Sequence, residues 1–571
     1  MIEIPTDTKE LIPFASDLIE TCTVSQGMRA AYYRILNTIA ETGSYDGTKS
    51  LINMMNSHLE RVASNLFSPV ELKFAMDYDN TYVPEIIKKG EVIAKHLTRQ
   101  WEVTSTDQLF AQGVFEGGKY GVCLFKQWPQ NVGTEVAPRM KYNSDLVMPW
   151  NFGVYREDKT DLESQEALCE TSRLTGPEVW QRIWNFPNAK KLYADIMTHA
   201  QAGQAGDSPD TFFHQVISAS QINTGVQSAT RPLPGGIVQI GNDPNFGVMG
   251  PTIGAPTVKF HELWVKDKDD YVTIQMIHPD ILINRFKLSN LLGVEHQQPY
   301  RLIRPNTISN WFWGRSELVD LIEPQGLLTT WAADVKRLFG LQIDRIMAFA
   351  GDNNITDEAF AQFRMSGYAN LGVGGKAEDL TPEMPPNSLD MLRFCIEQIN
   401  VLGSFPEIMR GQGEQGVRAG VHADTLRKTA TPTLRDRALQ VERQCATAAD
   451  LTLTLMEAKE SRKFWVDPKK MDDNFAITDL PEDWRVTVDS HSTSPIFADE
   501  SQQLIFAARK TGDVDGEYMI DNLPFPNKEA AKAALRARKE AGEKMQEKLF
   551  GQLSPEGKDK AIEKMLGGHH K

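Results

Sequence analysis

From about residue 8 to residue 120 apolar positions recur at helical spacing: Tyr32, Ile35, Leu36 and Ile39, then Leu51, Met54, Met55 and Leu59, then Ile87, Val92, Ile93 and Leu97. The pattern predicts an α-rich opening. Glycines cluster around Gly113, and the run Tyr120-Gly-Val-Cys-Leu-Phe125 that follows has strand character, so a helix-to-strand turn is expected there. Further strands are predicted at Val147 to Val154, Val258 to Trp264 and Tyr271 to Ile277. Between them lie a helix near Pro177 to Phe186, with Gly176-Pro177 marking its start, and another near Asn188 to Gln201. Residues 202 to 256 are rich in Gly, Pro, Ser, Thr and Asn and read as surface loops or an insertion. The first 310 residues or so therefore predict one α+β domain.

Past Arg301 the texture becomes mainly helical. Ser316 is placed to cap a helix carrying Leu318, Leu321 and Ile322, which Pro324 and Gly326 then interrupt. A longer helix from about Leu327 to Phe349 bears Leu328, Trp331, Val335, Leu338, Phe339, Ile343 and Ile346, and would be roughly 30 Å long. Residues 350 to 387 are short, polar and turn-rich, with Asp352, Asp357, Glu358, Glu378, Asp379 and Glu383 outnumbering Arg364 and Lys376. A helix resumes near Ser388 and runs to about Leu402, with Leu392, Cys395, Ile396 and Ile399 along one side. After Pro406 comes a glycine-rich loop, then a long helix from about Val421 to Lys463 in which Pro432 is the place for a kink. Two more helices are expected near Ala498 to Thr511 and Lys528 to Phe550, and a loose polar tail from Gly551.

Length and composition narrow the classes. A chain of 571 residues is too long for one core. No run of roughly 18 uncharged apolar residues exists, and the opening MIEIPTDTKE lacks the basic start and apolar stretch of a signal peptide, so a cytosolic protein is expected, with no membrane partner. Cys22, Cys123, Cys169, Cys395 and Cys445 stand far apart in apolar surroundings and read as buried reduced thiols. The eleven histidines are equally scattered, so no metal site is expected. The net charge of −15 argues against gripping DNA with a basic surface, but suits a wall past which DNA must slide.

Two glycine motifs look like chemistry. Gly411-Gln-Gly413-Glu-Gln-Gly416 matches GxGxxG, yet it follows a helix where a dinucleotide fingerprint needs a strand. Gly113-Val-Phe-Glu-Gly-Gly118-Lys119 nearly completes a Walker A loop, but Tyr120 stands where Ser or Thr must reach magnesium, and the strand comes after the glycines. No nucleophile elbow, kinase set or distinct carboxylate pair appears. No catalytic residues, no cofactor and no enzymatic activity are expected.

The order of elements resembles that of tailed-bacteriophage portal proteins, the head-to-tail connectors, and the large front half resembles the short-tailed phage type. The pieces that carry the resemblance are Trp313-Gly-Arg-Ser-Glu-Leu-Val-Asp-Leu-Ile-Glu-Pro-Gln and Phe405-Pro-Glu-Ile-Met-Arg-Gly, followed by the loop running into Ala423-Asp-Thr-Leu. The resemblance implies an α+β, mainly helical subunit of a ring around a central channel. Residues 1–314 and 406–494 would form the wing, 315–349 and 388–405 the stem helices, 350–387 the clip, 495–550 the crown and 551–571 a flexible tail. Loop 410–420 would be the tunnel loop, with Arg410, Gln412, Glu414, Gln415 and Arg418 touching passing DNA and Gly411, Gly413 and Gly416 letting it flex. Asp352, Asp357, Glu358, Glu378 and Asp379 would dock the packaging motor and later the adaptors. Leu328, Trp331, Val335 and Leu338 would meet the neighbouring subunits. The eleven bases against seven acids of residues 528 to 571 would suit a crown facing packaged DNA.

The same resemblance implies a homo-oligomer, a dodecamer, at one capsid vertex of the virion, assembled in the host cytoplasm. Its partners would be double-stranded DNA, the terminase large subunit, head-completion and tail adaptor proteins, and the major capsid and scaffolding proteins. Two other readings stand beside it. One is another head-tail component of the virion; the other is a packaging ATPase or nuclease, which would need an intact GxxxxGKS or GxxxxGKT loop.

Overall fold

The structure is a computed structural model, and it describes residues 3–44, 49–78, 83–133, 140–198, 257–268, 270–277, 281–287, 289, 292, 297–343, 347–350, 376–403, 432–459, 463–466, 474–481, 484–488 and scattered positions between 506 and 538. The chain divides into two compact units, Met1–Asp489 and Ser490–Lys571. In the second, the described residues 508–510, 519–520 and 534–538 are helical. Mixed helix and strand, about 55% to 23%, make the chain α+β and mainly helical.

The opening is helical, as its periodicity predicts, in five pieces: α1 (Thr8–Thr23), α2 (Gln26–Thr42), α3 (Met55–Leu66), α4 (Pro84–Val103) and α5 (Thr106–Tyr120). Asp7 caps α1 by accepting the Lys9 N–H at 3.2 Å. Of the periodic positions, Leu36, Ile39, Met55, Leu59, Ile93 and Leu97 are buried, whereas Tyr32, Ile35, Leu51 and Ile87 stay exposed. The apolar stripe is thus wider than the face the core uses. Between α3 and α4 lies a strand the pattern does not announce, β1 (Phe74–Tyr78), whose partner among the described residues is β12 (Trp484–Val488), antiparallel from Phe74↔Val488 to Tyr78↔Trp484.

The glycine cluster is not a turn. Gly113, Gly117 and Gly118 sit inside α5, which ends only at Tyr120. A Cβ on Gly113 would lie 2.5 Å from Ile303 Cδ1, and one on Gly117 would lie 2.9 Å from the Ile303 carbonyl oxygen. The glycines, each about 1 kcal/mol worse than alanine in a helix, let α5 rest directly on a strand. The turn itself falls at Gly121, at φ +97°. A phosphate-cradling loop is therefore absent at 113–119.

Eight described strands follow, interrupted by two helices: β2 (Cys123–Asn131), β3 (Met140–Val147), β4 (Phe152–Val154), β5 (Ala167–Thr175), then α6 (Gly176–Ile183) and α7 (Ala189–Thr198), then β6 (Thr257–Asp267), β7 (Asp270–Ile277), β8 (Ile281–Lys287) and β9 (Tyr300–Ile303). The predicted strand at 147–154 resolves into the end of β3, a short 3-10 turn and β4. Two antiparallel sheets result, β3-β2-β9 and β4-β5-β6-β7-β8. No parallel crossover appears among the described strands, which separates the fold from nucleotide-binding α/β folds.

One face of the five-stranded sheet, through Ala167, Cys169, Leu263, Val265, Val272 and Ile274, packs on Leu11, Ala15, Leu18 and Cys22 of α1. Its end packs on α6 and α7 through Leu174, Val258, Phe260 and Ile277. Thr175 and Glu178 form a capping box that starts α6, with Gly176-Pro177 at the predicted place. All five cysteines are buried free thiols, and burial pushes the Cys22 thiol up to about 12. Among the described residues, no helix is long and apolar enough to cross a membrane.

Candidate functional site

The segment Trp313 to Leu318 joins the sheets to the helices behind them. Gly314, at φ +69°, passes so close to Gly121 that a Cβ there would lie 2.4 Å from the Gly121 oxygen. Ser316 is buried, donates its hydroxyl to the Lys119 carbonyl at 2.6 Å and accepts the Leu318 N–H at 3.1 Å. Contrary to what its position predicts, it does not cap the helix: its bonds close the bend just before a 3-10 turn (Val319–Leu321), whose N-cap is Leu318 with no side-chain cap bond and which runs straight into α8 (Ile322–Ile343). Pro324 and Gly326 do not interrupt α8. The proline falls in its first turn, where the missing N–H has no partner to lose. Ser316→Ala removes both of these buried bonds, so the urea midpoint should fall by the equivalent of about 1–2 kcal/mol.

The described part of α8 ends at Ile343, and the predicted helix end near Phe349 is instead strand β10 (Met347–Ala350). It pairs antiparallel with β11 (Lys376–Asp379), Met347↔Asp379 through Ala350↔Lys376, and α9 (Ser388–Leu402) returns where the sequence predicts it. A helix of about 33 Å and one of about 22 Å are thus bridged by a two-stranded ladder.

Helices α8 and α9 share one core. Leu328, Cys395 and Ile399 are buried together with Leu36, Leu59, Tyr120, Leu318 and Leu321, and Ile322, Leu392 and Ile396 pack against them. This corrects the expected subunit-contact stripe. Leu328 and Val335 are buried within the chain itself, and only Trp331 and Leu338 are partly open. At about 100° per residue, Phe339 and Ile343 continue the side of α8 that buries Leu328, Ala332 and Val335, yet they are 44% and 82% exposed. On α9, Phe394 and Val401 lie one heptad apart, well off the Cys395 and Ile399 side, and are 50% and 64% exposed. The helix pair therefore carries two apolar surfaces that the described residues leave open.

Of the expected docking acids, Glu378 and Asp379 are exposed on β11, where Asp379 accepts the Thr381 N–H at 2.9 Å. Asp352, Asp357 and Glu358 lie outside the described residues. So does the whole expected tunnel loop, with Arg410, Gly411, Gln412, Gly413, Glu414, Gln415, Gly416 and Arg418.

The described part of the long helix, α10 (Pro432–Lys459), begins at the proline and is about 42 Å long. Leu434, Ala438, Val441, Cys445, Ala448, Leu451, Leu455 and Met456 are buried, so it serves as a spine. Three polar contacts tie it to distant strands and helices. Arg437 Nη1 meets both oxygens of Glu317, at 2.9 and 2.8 Å, and Asn306 donates to the same carboxylate at 2.6 Å. Burial pushes the Glu317 carboxyl above its ordinary range, against the pull of Arg437. Gln444 pairs with both backbone groups of Arg304, at 2.9 and 3.0 Å, extending the edge of β9. Thr452 accepts from Trp101 and Gln127, at 3.1 and 2.8 Å.

A cleft of about 300 Å³ opens where β9 meets α10, lined by Gln298, Arg301, Arg304 and Gln444 among others. Arg301 donates to the carbonyls of Gln298, Tyr300 and Thr447, so its charge is spent on joining backbone segments. Among the described residues no group of three or more His, Cys, Asp or Glu could hold a metal ion.

Two charged clusters escape a sequence reading because their members are scattered along the chain. In one, the Arg29 guanidinium lies 3.5 Å over the Trp313 ring, and Glu157 accepts from Trp313 Nε1 at 2.8 Å and from Ser25. In the other, Lys126 of β2 meets Glu170 of β5 and Glu262 of β6, at 2.5 and 2.8 Å. Only the strand register brings these groups together. In comparisons with known proteins, no family model and no curated protein matches this chain.

Proposed function

We propose that this chain is a portal subunit of a tailed bacteriophage, one copy of a ring whose channel passes DNA into and out of the capsid. The observation that carries the reading is the pair of uncovered apolar surfaces on α8 and α9. Large apolar side chains left open on a helix are costly to keep in water and mark a surface that meets another protein. A closed ring needs two different complementary patches on each copy, because its contacts are head-to-tail. Phe339 and Ile343 on one helix, with Phe394 and Val401 on the other, offer two such patches.

In this reading α8 and α9 are the stem, which differs from the expectation only in which of their sides meet the neighbours. Ladder β10–β11 with residues 351–375 is the clip, where Glu378, Asp379, Asp352, Asp357 and Glu358 dock the terminase motor and then the adaptors. Loop 410–420 reaches toward the duplex. Strong phosphate contacts would stall sliding DNA, and a net charge of −15 keeps them few. The protein's part is positional: it seats the motor and holds the DNA, and the motor hydrolyses ATP.

The test is the mass and symmetry of the purified full chain, by native mass spectrometry with electron-microscope class averages. Twelve copies of 64.1 kDa make a ring of about 769 kDa, with a central hole wide enough for a duplex. A monomer at every concentration, with no helix pair protruding from its body, would overturn the reading.

A further inference from the structure

The second scattered cluster has a closed geometry. Across the five-stranded sheet the register aligns Phe152, Glu170, Glu262, Gln275 and Asn284 in one row, on the face opposite the one α1 covers. Across the three-stranded sheet Lys126 of β2 and Tyr300 of β9 are register partners. The two pairs face each other. Lys126 Nζ donates to Glu170 Oε2 and Glu262 Oε2, at 2.5 and 2.8 Å, the Tyr300 hydroxyl donates to Glu170 Oε2, and Gln275 Nε2 donates to Glu262 Oε1 at 2.8 Å.

The charges do not balance. Two carboxylates stand directly opposite each other on neighbouring strands, a repulsive arrangement, and a single ammonium answers them. All three side chains are less than a fifth exposed, so water screens the excess poorly. Among the described residues the walls are aromatic: the Phe152 and Trp264 rings lie 5.0 and 5.9 Å from the Tyr300 ring, and the Trp128 ring lies 6.0 Å from Lys126. Cys169 is a buried neutral thiol behind the row. His261, beside Glu262 along the strand, alternates to the other face, where it bonds Thr171 at 3.0 Å.

We propose that Lys126, Tyr300, Glu170 and Glu262 form a proton-linked clamp between the two sheets, which takes up one proton on acidification and grips more firmly once it is bound. Glu170 is the group that takes the proton. Both oxygens of Glu262 already accept N–H bonds from groups that cannot accept in return. Burial pushes the Glu170 carboxyl above the usual range against the pull of Lys126, and Glu262 pushes it further. Burial draws the Lys126 ammonium down, but the two carboxylates more than offset this and hold it charged. Tyr300, raised well above its ordinary value by burial and then by both carboxylates, stays a donor throughout.

The sign follows from a folded-state value above the unfolded one. The stabilisation is complete below the unfolded glutamate range and is lost as pH rises through the raised value. One proton corresponds to at most about tenfold in the opening equilibrium per pH unit.

Hydrogen exchange by mass spectrometry on the full chain, corrected for intrinsic rates between pH 5 and 8.5, tests this. Amides of β2, β5 and β6 should lose protection as pH rises, and Glu170→Gln should flatten that slope. Glu317 and Asp450, which burial raises, act in the same direction, and His58, which burial, then Arg437 and Arg61, lower to about 4, acts in the opposite one below neutrality, so the comparison with the variant is what isolates the clamp. If Glu170→Gln does not fold, infrared difference spectra of a chain carrying Glu317→Gln and Asp450→Asn, which removes two other carboxyls that burial raises, serve: the carbonyl band of a neutral carboxyl should still appear on acidification while the pH is above the ordinary glutamate range. Equal slopes in both chains, or no such band, overturn the proposal.

Discussion

A chain carrying Phe394→Lys and Val401→Glu should fold as the parent does and form no rings. Both side chains are at least half exposed on α9, so their replacement touches little of the monomer's core, and surface changes of this kind stay within about 0.5 kcal/mol. The paired substitutions keep the net charge at −15 and put good helix formers in a helix. Assembly is another matter. Burying a phenylalanine and a valine against a neighbour contributes roughly 1.5–3 kcal/mol each, and the variant replaces that gain with two charges to be desolvated. Every contact of a closed ring repeats the loss. Native mass spectrometry should show monomer only, with a thermal transition unchanged within a degree or two; rings of parental mass would show that this face does not join subunits.

How much of this was legible in the sequence depends on the range of the contact involved. Helices α2 to α4, α8 and α9 were readable because a helix displays its buried face every three or four residues. Leu328 and Val335 show the limit of such a stripe: it says that a side is apolar, and not whether the chain or a neighbour covers it. On α8 the chain covers the stripe from Leu328 to Val335 and leaves its continuation, Phe339 and Ile343, open. On α9 the open residues Phe394 and Val401 form a second, shorter pattern on the far side of the helix that a search for one stripe passes over. Strand β1 was illegible because its partner lies some 400 residues away, and five residues of mixed burial carry no period of their own. The α5 glycines misled for a physical reason. Glycine marks turns through its freedom and close approaches through its size, and at Gly113 and Gly117 the second reason governs.

Arg437→Met should cost about 3–5 kcal/mol, the largest effect expected of any single substitution considered, because it strands a charge and not because it removes a bond. Glu317 is 6% exposed at its side chain, and it follows Ser316 at the entry to α8. Its backbone N–H is already committed to the Gly118 carbonyl at 2.9 Å, so the carboxylate cannot swing out to water without loosening the start of the helix. With the guanidinium gone, Asn306 alone remains bonded to it. The double variant Arg437→Met with Glu317→Gln should recover most of the loss, since it leaves no buried charge to solvate. Acid should rescue the single variant in part. Burial already holds the carboxyl above its ordinary range, and without Arg437 to pull it down it moves higher, so the penalty is present at neutral pH and fades as pH falls through that value. Urea titrations of the three chains at pH 5 and pH 8 check both expectations. A single variant as stable as the parent at pH 8 would show that the α8 entry does not depend on this ion pair, and that α10 holds it by apolar packing alone.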